Sequence, residues 1–339
     1  MEKTYRKNVV LFFVTSLLLI SLILGHSYWI DSFDYWGELR DRPAVNNPHK
    51  LKLDFIRSQK FNCIILGSSR AESFSPYQLS EITGYDCVNL AVGGASTALK
   101  RLYLEESQKH QDLKYVLYVS DFYEFFEGKQ PEEVLYHPEL GTLVKNLDES
   151  VELPSLLDRF LLFLDSVRFN RDMGAKRKAL KVSDLVGNRA EKKGLRLQRY
   201  KEDSEYILRQ PDELERDWKR NFEAYKNGVW VGDFQDEKQD DLIKQLNALS
   251  EKGVGVSVLL SPFYSKFNSA FKSRVEQKVK DSFERWKSIW LKESDICVMD
   301  FSGDISVILS QDVEHWDDGV HLNKFGASAV MKEVEQCGS

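Results

Sequence analysis

Asn62-Cys-Ile-Ile-Leu-Gly67-Ser68-Ser69-Arg70 is the stretch whose reading decides the fold. Four apolar residues are followed at once by glycine and two serines. So short and continuous a run reads as a strand buried on both faces. The glycine and serines end it in a tight turn. The pattern recurs at Asp86–Ala91, which runs on to Gly93-Gly94, and at Tyr115–Val119, Val254–Leu260 and Ile296–Asp300. Helical stretches lie between, over Ser96–His110, Asp236–Lys252, Asn268–Leu291 and from about Lys324 to Glu335. Short buried strands alternating with helices predict an α/β fold with a parallel sheet covered on both faces.

The alternation breaks between about Phe126 and Asp233. This stretch is charged, with basic runs at Lys176-Arg177-Lys178 and Glu191-Lys192-Lys193. It reads as a helical insertion (126–233) between the third and fourth strands of one domain over residues 61–339. Its charges fit solvated helix faces, or a surface that grips a polymer or an envelope-protein partner. Residues 31–60 contain Pro43 and Pro48, which break regular structure, and read as a stalk or linker.

The start of the chain is of another kind. Asn8–Ile30 is 23 residues without Asp, Glu, Lys or Arg. As a helix it spans roughly 35 Å at ~1.5 Å per residue, enough for a ~30 Å hydrocarbon core. Lys3, Arg6 and Lys7 precede it, and Asp31, Asp34 and Glu38 follow. This asymmetry predicts a cytoplasmic tail and transmembrane anchor over residues 1–30, with the rest extracytoplasmic or periplasmic. Tyr28, Trp29, Tyr35 and Trp36 suit an interfacial aromatic belt. Two other readings compete: a buried core helix, and a cleaved signal peptide, for which Gly25-His26-Ser27 is a passable site. No cysteine ends the run, as a lipoprotein would need.

Over 339 residues, 47 Lys and Arg face 53 Asp and Glu, a net charge of −6. That balance argues against nucleic acid as a partner, since binding it needs a basic face. Cys63, Cys87, Cys297 and Cys337 form no C-x-x-C pair, which removes zinc-ribbon and thioredoxin-type readings. The plain expectation is buried thiols on strands, although disulfides are permitted outside the cytoplasm.

Three segments could carry chemistry, each at or near the carboxyl end of a strand, where parallel sheets place their sites. Gly67-Ser68-Ser69-Arg70 projects a serine from a tight turn, which suits a nucleophile if a base lies nearby. It equally suits a helix cap. Asn89–Ser96, with Gly93 and Gly94, offers free backbone N–H groups for an oxyanion, or is an ordinary turn. Trp316-Asp317-Asp318-Gly319-Val320-His321 sets an Asp three residues before a His. Such an Asp can hold Nδ1–H and aim the other ring nitrogen at a serine. His315, Asp317 and His321 as metal ligands are a further reading, with no other ligand cluster to support it.

Taken together and in this order, the three segments resemble the SGNH/GDSL hydrolase superfamily. Its first block, Gly-x-Ser, is matched by Gly67-Ser68-Ser69. Its oxyanion glycine is matched by Gly94, and its closing Asp-x-x-His by Asp318-Gly319-Val320-His321. The resemblance covers roughly residues 60–125 and 250–335. It implies a three-layer αβα, flavodoxin-like fold. It also implies Ser69 as nucleophile, His321 as base, Asp318 as the acid that orients it, and the Ser69 and Gly94 N–H groups as the oxyanion hole, without cofactor or metal. One block departs. Where the family has a Gly-x-Asn whose side chain completes the oxyanion hole, this chain has Tyr118-Val119-Ser120-Asp121-Phe122-Tyr123. Loss of one such donor costs about 3 kcal/mol of transition-state stabilisation. A carboxylate there repels an oxyanion unless it is protonated or turned away.

An anchor followed by such a domain is similar to the membrane-bound branch of that superfamily, which includes DltD-like and cell-surface O-acylation proteins. The resemblance therefore implies a serine acyl-ester hydrolase or O-acyltransferase acting on an acylated cell-surface glycan or small acyl ester. The alternatives are an inactive scaffold in an envelope polysaccharide modification or export complex, and a flavodoxin-like binding domain whose serines are incidental.

Overall fold

The structure is a computed structural model that describes residues 2–30, 47–126, 130–155, 157–158, 161, 210–230, 232–293, 296–302 and 313–337. In chain order its main elements are α1 (Glu2–Ile30), α2 (Pro48–Ser58), β1 (Cys63–Leu66), α3 (Pro76–Thr83), β2 (Cys87–Asn89), α4 (Thr97–His110) and β3 (Tyr115–Ser120). Then follow α5 (Glu132–Leu135), α6 (Pro138–Leu147), α7 (Pro211–Ala224), α8 (Asp236–Glu251), β4 (Gly255–Leu260), α9 (Ser265–Arg274), α10 (Gln277–Glu293), β5 (Cys297–Asp300) and α11 (Lys324–Val334). The chain divides into two compact units, residues 1–51 with 132–185, and residues 52–131 with 186–339.

The second unit holds the sheet. Its five strands are all parallel, in the order β2-β1-β3-β4-β5. This is the flavodoxin-like order, and the α/β expectation is met. β1, β2 and β3 are buried along their whole length, which is why they read as continuous apolar runs. The chain steps one way from β1 to β2 and the other way thereafter. Right-handed crossovers then send α3 to one face and α4, α8 and α10 to the other. The contacts agree, α11 packing on α3 and α8 on both α4 and α10. Direction reverses between β1 and β3, so the crevice above those two strands is the switch point where such sheets bind ligands.

Several local readings change. The turn after β1 leads into α3, which no periodic apolar pattern announces. Ser75 caps it by accepting from the Gln78 N–H, Pro76 occupies its first turn, and Gly84 ends it at φ 75°. The helix expected over Asn268–Leu291 is two, α9 and α10, divided at extended Val275. Pro48 opens α2 rather than breaking structure, since its missing N–H costs nothing in a first turn. Residues 31–46 and both basic runs lie outside the described residues. Phe126 and Phe234 form an antiparallel bridge, so the ends of the 126–233 excursion meet. Phe122 stands among Phe126, Trp230, Phe234, Phe283 and Trp286 at that junction.

The thiol expectation is corrected. Cys63 and Cys87 are register partners on adjacent strands, with Cα atoms 4.2 Å apart, and they form a disulfide. Cys297 pairs with Cys337, and no cysteine is free. Only strand register brings the first pair together, and register is not written in cysteine spacing.

In the first unit, α1 is long and apolar enough to cross a membrane over Tyr5–His26, and that window is unburied. α6 starts at a His137 cap, whose Nδ1 accepts from the Leu140 N–H at 3.2 Å.

Candidate active site

The chain leaves β1 through Gly67. A side chain there would press on Ala71 and stand 3.2 Å from the Val119 Cβ, so only glycine lets the turn close over β3. The turn is held by Ala71 N–H donating to the Ser68 carbonyl at 3.0 Å. Buried Asn89, at the end of β2, donates its side-chain amide to the Ala71 and Phe74 carbonyls, both at 2.9 Å. The turn carrying Ser69 is thereby tied to the neighbouring strand.

Ser69 Oγ lies 2.8 Å from His321 Nε2, across 252 residues of sequence. His321 Nδ1 lies 2.7 Å and 2.9 Å from the two Asp318 oxygens. A carboxylate only accepts, so Nδ1 carries the proton and Nε2 is left to accept from the Ser69 hydroxyl. Asp318 Oδ1 also accepts from the N–H groups of Val320 and His321, at 3.2 and 2.9 Å. These bonds fix the carboxylate within its own turn. Gly319, at φ 82°, lies against Trp218, and a side chain there would collide with the Trp218 Cβ. Asn221 Nδ2 donates to the Asp318 carbonyl at 3.1 Å. Both supports come from α7, inside the stretch read as an insertion.

Gly93 and Gly94 lie beside the serine. A Cβ on Gly93 would stand 3.6 Å from the Ser69 Cβ, and the Gly93 N–H donates to Glu72 Oε1 at 2.7 Å. Gly94 has φ 75°. Among the described residues, the N–H groups of Ser69 and Gly94 donate to no protein acceptor. That is the state a ligand oxygen needs.

Beneath this layer lies a buried charge network that the sequence reading missed. Asp121 is fully buried. Its carboxylate accepts from Ser68 Oγ at 2.5 Å, with Arg70 Nη1 at 3.4 Å and Lys100 Nζ at 3.7 Å. Two cations and a hydroxyl therefore engage this carboxylate. Arg70 goes further. Its Nε donates to the Val320 carbonyl at 3.0 Å, its Nη2 to the Pro262 carbonyl, and its guanidinium lies 4.1 Å from the Phe263 ring centre. One side chain thus joins the loops after β1, β3 and β4 to the histidine loop. Lys100 also pairs with Glu124, which accepts from Tyr118 and Ser120 at 2.9 Å. Burial pushes the Glu124 carboxyl above its ordinary range, opposed by Lys100 and reinforced by Asp121. Burial, with Asp121 adding to it, raises the Tyr123 phenol well above its ordinary value.

The structure therefore brings Ser69, His321 and Asp318 into one hydrogen-bonded line, with the Gly93-Gly94 turn beside it. Such a line draws a proton from the serine toward the imidazole, the chemistry that activates a hydroxyl for acyl transfer. His315 and Asp317 are not part of it, and no group of three or more His, Cys, Asp or Glu side chains among the described residues is arranged to hold a metal ion.

No family model matches the chain, and no curated protein matches it in sequence. Solved structures do. One is a candidate acylhydrolase from Bacteroides fragilis NCTC 9343, 11% identical, covering 82% of this chain and 86% of its own length at a TM-score of 0.35. Another, from Streptococcus pneumonia, is described as a candidate platelet activating factor. It is 12% identical and covers 96% of this chain and 99% of its own, at a TM-score of 0.36. Similarity at this level bears on neither fold nor chemistry, and both rest on the geometry above.

Proposed function

We propose that the protein is a membrane-anchored serine acyl-ester hydrolase or O-acyltransferase, of the SGNH type, that acts outside the cytoplasm on an acylated glycan. The observation that carries this reading is the Ser69–His321–Asp318 line, with links of 2.8 and 2.7 Å. The two disulfides support an oxidising compartment. Helix α1 supports attachment to a membrane.

In the reaction, Ser69 Oγ attacks the acyl carbonyl carbon as its proton passes to His321 Nε2. Asp318 accepts from Nδ1–H and stabilises the imidazolium. The tetrahedral oxyanion accepts from the Ser69 and Gly94 N–H groups. His321 then gives its proton to the leaving alkoxide oxygen, and the ester bond breaks to leave an acyl-Ser69. Water or a second hydroxyl, deprotonated by His321, takes the acyl group and restores the serine. Which of the two arrives distinguishes hydrolase from transferase.

The test is covalent labelling of the full-length protein in detergent micelles with a fluorophosphonate probe. Labelling is expected in wild type and absent in Ser69→Ala. No Ser69-dependent labelling, together with no esterase turnover, sinks the reading. The second reading, a catalytically inactive envelope scaffold, is favoured by Asp121 in place of an oxyanion-hole Asn. It predicts that negative result.

A further inference from the structure

A cleft of ≈ 480 Å³ opens between the start of α3 and the start of α11. That is within the size range of small-molecule sites. Ser73, Tyr77, Gln78 and Glu81 line it from one side, Lys324 and Phe325 from the other. Both walls are short extensions of the candidate triad. Ser73 follows Ser69 by four residues and Lys324 follows His321 by three. Chain reach alone puts each wall within about 14 Å of its triad member.

The lining chooses among ligands. Ser73 is 2% exposed, yet its hydroxyl has no partner among the described residues. An unmet buried hydroxyl is unfavourable, and a ligand hydroxyl that reached it would satisfy it. Gln78 gives its Nε2 to the Ser328 carbonyl at 3.1 Å, which fixes the amide in the cleft. Phe325 is exposed, and Lys324 Nζ lies 5.3 Å from its ring centre. Glu81 and Lys324 carry opposite charges, so the cleft does not select an ion of one sign. Its hydroxyl, amide and carboxylate do not suit an alkyl chain. What remains is an uncharged molecule with many hydroxyls and a flat C–H face to lie on a ring, which is a pyranose.

We propose that this cleft is a carbohydrate subsite, holding the sugar part of the substrate while its ester carbonyl lies at Ser69. The proposal rests on the acyl-transfer reading of Ser69. Its test separates the two. Full-length Ser69→Ala protein in micelles is titrated calorimetrically with four-residue oligosaccharides of glucose, xylose and N-acetylglucosamine. At least one is expected to bind at millimolar Kd or tighter. Affinity should fall about tenfold in both Phe325→Ala and Ser73→Ala, the size of one lost contact of ~1.4 kcal/mol. With Ser69 intact, turnover of the O-acetylated form of that oligosaccharide is compared with turnover of p-nitrophenyl acetate. The ratio of their kcat/KM values should fall about tenfold in Phe325→Ala. Ser73→Ala is the smaller change and guards against a folding defect. No binding of any oligosaccharide, or binding undiminished in both variants, overturns the subsite. Oligosaccharide binding without any Ser69-dependent turnover keeps the subsite and overturns the acyl-transfer reading.

Discussion

Arg70 stands next to the candidate nucleophile but points away from its chemistry. It pairs with buried Asp121 and donates to the Val320 and Pro262 carbonyls. Removing one member of a buried pair costs about 3–5 kcal/mol where the other charge is left wholly uncompensated. Lys100 and Ser68 still engage Asp121 without Arg70, so Arg70→Met should lower unfolding stability by less than that in a denaturant titration. Adding Asp121→Asn should return part of the loss, and strictly additive losses would refute the coupling. At the site itself, His321→Ala and Asp318→Asn should each lower kcat on a simple ester by about 10³-fold or more, read in a stopped or continuous esterase assay. The three residues of the candidate triad could be singled out because two of them sit in one short motif and the third follows a readable strand. Arg70, Asp121 and Ser68 could not. Their partners lie up to 250 residues away, and no periodicity encodes a buried ion pair.

At the scale of elements, α7 matters more than its place in an insertion implied. Trp218 and Asn221 hold the turn that carries Asp318. Gly319→Ala must push that turn off Trp218. The expected result is a loss of turnover well beyond the loss of stability, seen by measuring kcat and thermal midpoint on the same samples. α7 is itself fastened to α9 by Glu215, which accepts from Lys266 Nζ at 2.6 Å and Trp218 Nε1 at 2.9 Å. Lys266 first, then Trp218 and Lys219, hold its carboxyl down to about 2, from an ordinary 4.5. A folded value below the unfolded one stabilises the protein above pH 4.5, and the gain is lost as pH falls through about 2. Solvent screening keeps that gain under ~1 kcal/mol. Glu215→Gln should melt slightly below wild type at pH 7, and the gap should close as pH falls toward 2. The strands and most helices of this unit could be read from buried runs and 3.6-residue periodicity. α3 could not, because an eight-residue helix is set by its Ser75 cap and Gly84 stop rather than by an apolar stripe.

At the scale of the whole molecule, stability depends on the disulfides. Cys63–Cys87 spans 24 residues and Cys297–Cys337 spans 40. In the loop-entropy description each contributes about 2–4 kcal/mol by restricting the unfolded chain. Replacing either pair by serine should lower unfolding stability by that amount, and treatment of wild type with a reductant, which opens both bridges, should cost about the sum of the two losses. Equal stability of oxidised and reduced protein would show that the bridges are incidental.

The two bridges also partition the candidate site. Ser69 lies inside the ring closed by Cys63 and Cys87, and Asp318 and His321 lie inside the ring closed by Cys297 and Cys337. No covalent closure joins the two rings. They meet through contacts such as Ser69 Oγ to His321 and Arg70 to the Val320 carbonyl. The two rings become available for oxidation at different times. The ring that carries Ser69 can be oxidised while the emerging polypeptide is still short. The ring that carries His321 must wait for Cys337, which follows every strand of the sheet. Thiol oxidation takes seconds to hours, whereas synthesis runs at about 5–20 residues per second. Where oxidation is the slower of the two, both rings close after synthesis, and completion of the candidate site follows the clock of the oxidising machinery rather than that of the ribosome.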